Sequence, residues 1–246
     1  MKSTLLLALF LTGCTGDVEE IPAEDPAAAV EQERVKEQAP AAAATTAKAE
    51  PSPEVKALLT KLDPDLATKT APDKFTVVFN TSEGEVAVEV NREDAPNGAD
   101  RLYNLVQMGF YEEVAFFRVI DGFMAQAGMH GTPEVNDLWR DASIKDDPVT
   151  LTNERGTLTF ATRGPNTRTT QLFFNFKDNG NLDGMGFSPV GRVTSGMDVI
   201  DSLYSGYGEG QPRGRGPAQQ LITLQGNAYL QEKFPELDYI KNARIR

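Results

Sequence analysis

Between Lys74 and Glu93 the chain alternates: KFTVVFNTSEGEVAVEVNRE. Phe75, Val77 and Phe79 share one face. After Ser82-Glu83-Gly84, Val86, Val88 and Val90 share another, with Glu85 and Glu89 opposite. A period of two marks half-buried strands, and the glycine-containing turn joins them as a hairpin. The period then lengthens. In APNGADRLYNLVQMGF, Ala99, Leu102, Tyr103, Leu105 and Val106 recur at helical spacing, and Gly109 stands where a left-handed cap belongs. VAFFRVIDGFMAQAG (114–128) reads as strand, turn and strand. GTLTFATRG (156–164), TTQLFFNFKD (169–178) and FSPVGRVTSG (187–196) read as three more strands. In the second of these, Leu172 and Phe174 take one face, and Gln171, Phe173 and Asn175 the other. MDVIDSLYSG from Met197 reads as a short helix, and QLITLQGNAYL (220–230) as a closing strand. Many short strands, glycine turns and two helices predict a mainly β fold, a closed antiparallel barrel.

The pattern disappears toward the N-terminus. No aromatic residue stands between Leu11 and Lys74, and Thr15–Pro72 holds 12 acidic and 6 basic residues among many Ala and Pro. Such a segment cannot bury enough apolar surface to offset its ordering entropy, so a flexible, disordered tether is expected. Within it SPEVKALLTKL offers a short helix at 53–62, with Ser52 as N-cap and Pro53 at the first position. Ahead of the tether, MKSTLLLALFLTGCTG has the charged start, short apolar core and small residues of a secretory signal, too short to span a bilayer.

Composition narrows the chemistry. The net charge of -12 over 246 residues argues against a nucleic-acid partner. One cysteine and one histidine rule out an internal disulfide. No cluster of His, Cys and carboxylates suggests a metal site. A nucleophile–base engine would rest on His130, whose simplest reading is an exposed loop residue. An anchored hydrolase is therefore a poor fit.

Several motifs resemble known families. LTGC, ending at Cys14, resembles the lipobox of bacterial lipoproteins, which implies lipidation of Cys14. That implies a protein held at the cell envelope, on the periplasmic side and at the outer membrane of a Gram-negative cell. FFRVIDGFMAQAG, FATRGPNTRTTQLFFNF and LDGMGFSPVGRVTSGMDVID, in that order and spacing, resemble the signature blocks of cyclophilin-type peptidyl-prolyl cis-trans isomerases. The resemblance runs from about Asp73 to Asn227. It implies an eight-stranded antiparallel barrel with a helix over each end. The organisation that follows is a lipoprotein signal at 1–13, a lipidated tether at 14–72, an isomerase domain at 73–227 and a packed extension at 228–246.

The resemblance also implies site residues. Arg118 takes the position of the catalytic arginine and Gln126 that of the glutamine after it. Phe123, Met124, Ala161, Thr162, Gln171, Phe173 and Leu182 match groove positions, and Phe187 is the nearest bulky substitute for a missing histidine. Three departures stand out. Phe117 replaces a histidine, Thr162 an asparagine, and Asn181 a tryptophan that helps to bind cyclosporin in the family.

These residue types suit the reaction. Amide resonance resists rotation with a barrier of ~18–20 kcal/mol. No covalent bond breaks, so neither nucleophile nor cofactor is expected. A rigid, permanently charged guanidinium can donate to the prolyl nitrogen as twisting localises its lone pair. A gain of ~5–7 kcal/mol at that point gives about 10⁴–10⁵-fold acceleration. The expected partners are proline-containing polypeptides and a membrane, for a monomeric protein. The alternative is a module that grips proline segments as chaperone or scaffold with little turnover.

Overall fold

The computed structural model describes residues 50–246. The readings on the signal, on Cys14 and on the tether before Glu50 lie outside the described residues. The hairpin forms as its pattern requires. β1 (Lys74–Thr81) pairs antiparallel with β2 (Glu85–Asn91), placing Val77 opposite Val88 and Phe79 opposite Val86. Then come α2 (Pro96–Met108), β3 (Val114–Ala115), β4 (Arg118–Ile120) and β5 (Met124–Ala127), with α1 (Pro53–Lys61) ahead of them all. α3 (Pro133–Trp139), β6 (Thr157–Phe160), β7 (Leu172–Asn175), β8 (Pro189–Ser195), α4 (Met197–Asp201), α5 (Gln219–Lys233) and β9 (Tyr239–Ile245) complete the fold.

The nine strands form one antiparallel sheet in the order β3-β9-β1-β2-β8-β6-β7-β5-β4. Its two edge strands lie on one run of chain, Val114–Ile120, broken only at Phe116–Phe117. The curled sheet therefore closes through the covalent chain. Taken as one broken strand, that run brings the count to the eight expected. Val77, Phe79, Val88, Leu158, Phe160, Leu172 and Phe174 point inward and are buried together. Phe174 meets Phe79 edge-on at 5.8 Å.

Four expectations need correction. QLITLQGNAYL is helical, not a strand. Ile222, Tyr229 and Leu230 pack with Ala115, Phe117 and Met129 in a second apolar cluster, and that tertiary packing overrides local alternation. The helix bends at Gly226 (φ 58°), where a Cβ would lie 1.9 Å from the Gly131 carbonyl oxygen. The closing strand is β9, which lies between β3 and β1. The expected packed extension at 228–246 thus supplies the end of α5 and, in β9, a strand of the barrel itself.

The segment after Pro53 is likewise no tether. Ser52 caps α1, Leu62 is fully buried, and its carbonyl accepts from Trp139 Nε1 at 2.7 Å. The Lys69 and Ala71 amides donate to Asn104 and Asp100 of α2. Composition averaged over the whole stretch hid these few anchoring residues.

His130 is buried, not exposed. Its Nδ1 accepts from the Thr132 amide at 3.0 Å and its ring lies edge-on to Phe110. Burial lowers its pKa to about 4, with help from the charge of Lys61. The unfolded chain protonates His130 near its ordinary value of about 6.5. Its stability contribution is therefore complete above about pH 6.5 and is lost as pH falls toward 4. By linkage the loss is on the order of 3 kcal/mol. Thermal melting of wild type and His130→Asn between pH 7 and 4 checks this: wild type should lose more stability than the variant. Parallel pH profiles would remove His130 from the account.

Candidate active site

Alternation separates core from site. Opposite the inward-facing residues, the outer face carries a row across four neighbouring strands. Arg118 of β4 stands opposite Gln126 of β5, which stands opposite Phe173 of β7, which stands opposite Thr159 of β6. A neighbouring row joins Ile120, Met124 and Asn175. Side chains paired directly across a ladder sit side by side, so register alone brings Arg118, Gln126 and Phe173 together.

Beside these rows lies an apolar cluster separate from the barrel interior: Phe123, Met124, Phe173, Leu182 and Phe187, with Ala161 against it. Phe173 and Phe187 meet edge-on at 5.8 Å. Leu182 is brought in by the 3₁₀ turn Gly180–Met185, which ends at left-handed Gly186. A buried amide network holds this floor from behind. Asn179 donates to the Phe123 carbonyl at 3.0 Å and to Asn175, and Asn153 donates to the Phe187 carbonyl at 2.8 Å. Fully satisfied networks of this kind fix backbone positions.

The cleft above has a volume of about 1090 Å³ and is lined by Arg118, Gln126, Gln171 and the apolar floor. All ten groove and catalytic positions implied by the sequence line it. Their polar members are linked. Arg118 Nη1 donates to Gln126 Oε1 at 3.1 Å and lies 3.8 Å from the Met124 sulfur. Gln126 Nε2 donates to Gln171 Oε1 at 2.8 Å. Thr162 turns its hydroxyl to the Gly164 carbonyl and the Thr167 hydroxyl, so its side chain is engaged within its own loop. Phe117, next to the arginine, borders the cleft and joins the cluster with Ile222 and Leu230. Its apolar character is explained by helix α5 behind it.

One residue of the site was not foreseen. Arg118 is only 8 % exposed, and its Nε and Nη2 donate to the two carboxylate oxygens of Glu209 at 2.7 and 2.6 Å. Glu209 lies in SGYGEGQPRGRG, a glycine-rich loop with no periodicity. Its single acid gives no hint of a partner in β4. Burial works against ionisation of Glu209. The hydrogen bonds and charge of Arg118, the Gly210 amide and the charge of Arg213 outweigh it and hold the carboxyl below its ordinary value.

Such an arrangement can bind an apolar ring beside a charged donor and a backbone-binding amide. Among the described residues the cleft lining places no nucleophile next to a base.

Comparison with known proteins agrees. The profile of the cyclophilin type peptidyl-prolyl cis-trans isomerase family matches residues 76–223. The chain is 36% identical over 158 residues to a peptidyl-prolyl cis-trans isomerase of Streptomyces antibioticus, covering 60% of this chain and 94% of that one. It is 33% identical over 136 residues to peptidyl-prolyl cis-trans isomerase B of Escherichia coli strain K12, covering 52% and 82%. A crystal structure of a cyclophilin type isomerase from Cryptosporidium parvum shares the fold, with a TM-score of 0.53 at 19% identity over 70% of this chain and 98% of that one. The chain belongs to the cyclophilin-type peptidyl-prolyl cis-trans isomerases, enzymes that act on proline-containing polypeptides.

Proposed function

We propose that the chain accelerates X-Pro rotation by electrostatic stabilisation of the twisted amide, with Arg118 as donor to the prolyl nitrogen. The observation that carries this is the adjacency of a desolvated guanidinium and a preformed apolar floor in one cleft. Phe123, Met124, Phe173, Leu182 and Phe187 hold the proline ring, so rotation takes place on its acyl side. Gln126, Gln171 and the backbone at Ala161 and Thr162 hold the flanking peptide. A guanidinium in a partly dry site acts in a low local dielectric and needs no reorganisation as the amide twists. The test compares proline-peptide affinity with catalysed cis-trans exchange. Tight binding without exchange would leave a chaperone or scaffold role and overturn the catalytic one.

We further propose that the enzyme works as a monomer on exported proteins while lipid-anchored through Cys14. The support is the sequence MKSTLLLALFLTGC, whose apolar core ends at the single cysteine.

Asn181, where the family has a tryptophan, is exposed and directly precedes Leu182 of the floor. It offers no aromatic face, so cyclosporin is expected to inhibit poorly. A peptide-isomerisation assay with added cyclosporin checks this. Submicromolar inhibition would show that the floor suffices without the tryptophan.

A further inference from the structure

We propose that Glu209 is a positioning residue for catalysis: it fixes the plane of the Arg118 guanidinium and reserves one N–H for the substrate. The proposal rests on the catalytic reading of Arg118 and adds what holds that group in place.

An arginine has five N–H donors in a rigid fork. Two are taken by the Glu209 carboxylate, from Nε and Nη2. Nη1 is turned to Gln126 Oε1 and the Met124 sulfur. Among the described residues this leaves the second Nη2 hydrogen without a protein acceptor, on a side chain that lines the cleft. A bidentate carboxylate defines the orientation of that hydrogen in a way a single contact cannot.

The loop that carries Glu209 is itself held in shape. Gly208 forms a bridge with Val119, the residue after Arg118, along the outer edge of β4. The Gly216 amide donates to the Glu209 carbonyl at 2.8 Å, the Gly214 amide to the Gly210 carbonyl at 3.0 Å, and the Gly210 amide to Glu209 Oε1 at 2.9 Å. A Cβ at Gly214 would lie 2.2 Å from the Glu209 carbonyl oxygen, so the close turn requires glycine there. A half-buried carboxylate carries a desolvation cost that a loop with only a spacer role would avoid. Here the cost falls where it constrains the guanidinium beside Met124 of the apolar floor.

The test measures kcat and KM on an X-Pro peptide for wild type, Glu209→Gln, Arg118→Ala and the double variant, with a thermal melt of each. Misplacing a reacting group by about an ångström costs up to about 10²-fold, so Glu209→Gln should lower kcat about tenfold or more. KM should stay within about twofold, because the floor that binds proline is untouched. Added to Arg118→Ala, the same change should cost nothing further, since Glu209 acts only through the arginine. Should Glu209→Gln not fold, Glu209→Asp serves the same test, because it keeps the charge and shortens the reach. An unchanged kcat, a shift in KM alone, or an equal further loss in the double variant would each overturn the proposal. A raised kcat would overturn it too and make the loop an inhibitory cover. If Arg118→Ala alone keeps full activity, it is the catalytic reading of Arg118 that falls.

Discussion

Arg118→Ala lowers kcat/KM for an X-Pro peptide by about 10²–10³-fold while the barrel stays folded. The magnitude is that of removing one preorganised donor from a site where charge develops, about 3–4 kcal/mol. The fold is expected to survive because Arg118 lies on the outer face, away from the packed interior. Its loss does strand Glu209, but that carboxylate keeps partial access to water, with a side chain 28% exposed. Arg118→Lys separates charge from geometry. A lysine keeps the charge and loses the fork, so it should restore only part of the rate. A protease-coupled or exchange-spectroscopy assay reads the rates, and circular dichroism confirms the fold. Near wild-type turnover by folded Arg118→Ala would remove the arginine from the mechanism.

Asp147→Ala should cost about 3–5 kcal/mol of stability, the typical loss on breaking a buried ion pair. Asp147 supplies what helix α2 lacks. Ala95 at its N-cap has no side-chain oxygen, and the Asp147 carboxylate instead accepts from the amides of Asn97 and Gly98, both at 2.9 Å. The same carboxylate meets Nη2 of Arg168, which is 1% exposed, at 3.0 Å. Alanine would leave two helix amides and most of a buried guanidinium uncompensated, with Asp146 at 3.2 Å as the remaining counter-charge. Asp147→Asn keeps an acceptor and should lose less. Urea unfolding of both variants gives the order. Equal stability of Asp147→Ala and wild type would show that water or Asp146 replaces the lost carboxylate.

The hairpin 74–91 was legible because strict alternation has one structural solution. The floor was legible only through its signature blocks. Phe173 and Phe174 are equally apolar, and nothing in alternation says which of the two faces lies inside a barrel. Misread elements share a cause. Ile222 and Leu224 alternate with polar neighbours as a strand would, but Phe117 and Met129 offer Ile222 a helical seat. β9 escaped notice because YIKNARI carries too many charges to resemble a buried strand. Its place is set by pairing with β1 and β3. Leu62 and Glu209 depend on contacts far away in sequence, and composition averages erase both.

The position of β9 bears on how the chain is made. Val77 pairs with Ile245 and Val114 with Ile240, so β1 and β3 each wait for a partner that leaves the ribosome after nearly all the rest of the fold. Until then the edges of β1 and β3 that β9 covers stand open. Non-local closure of this kind is slow and leaves edges exposed to association. A cyclophilin-type isomerase built this way would thus pass through an unfinished state of its own, with its barrel not yet closed.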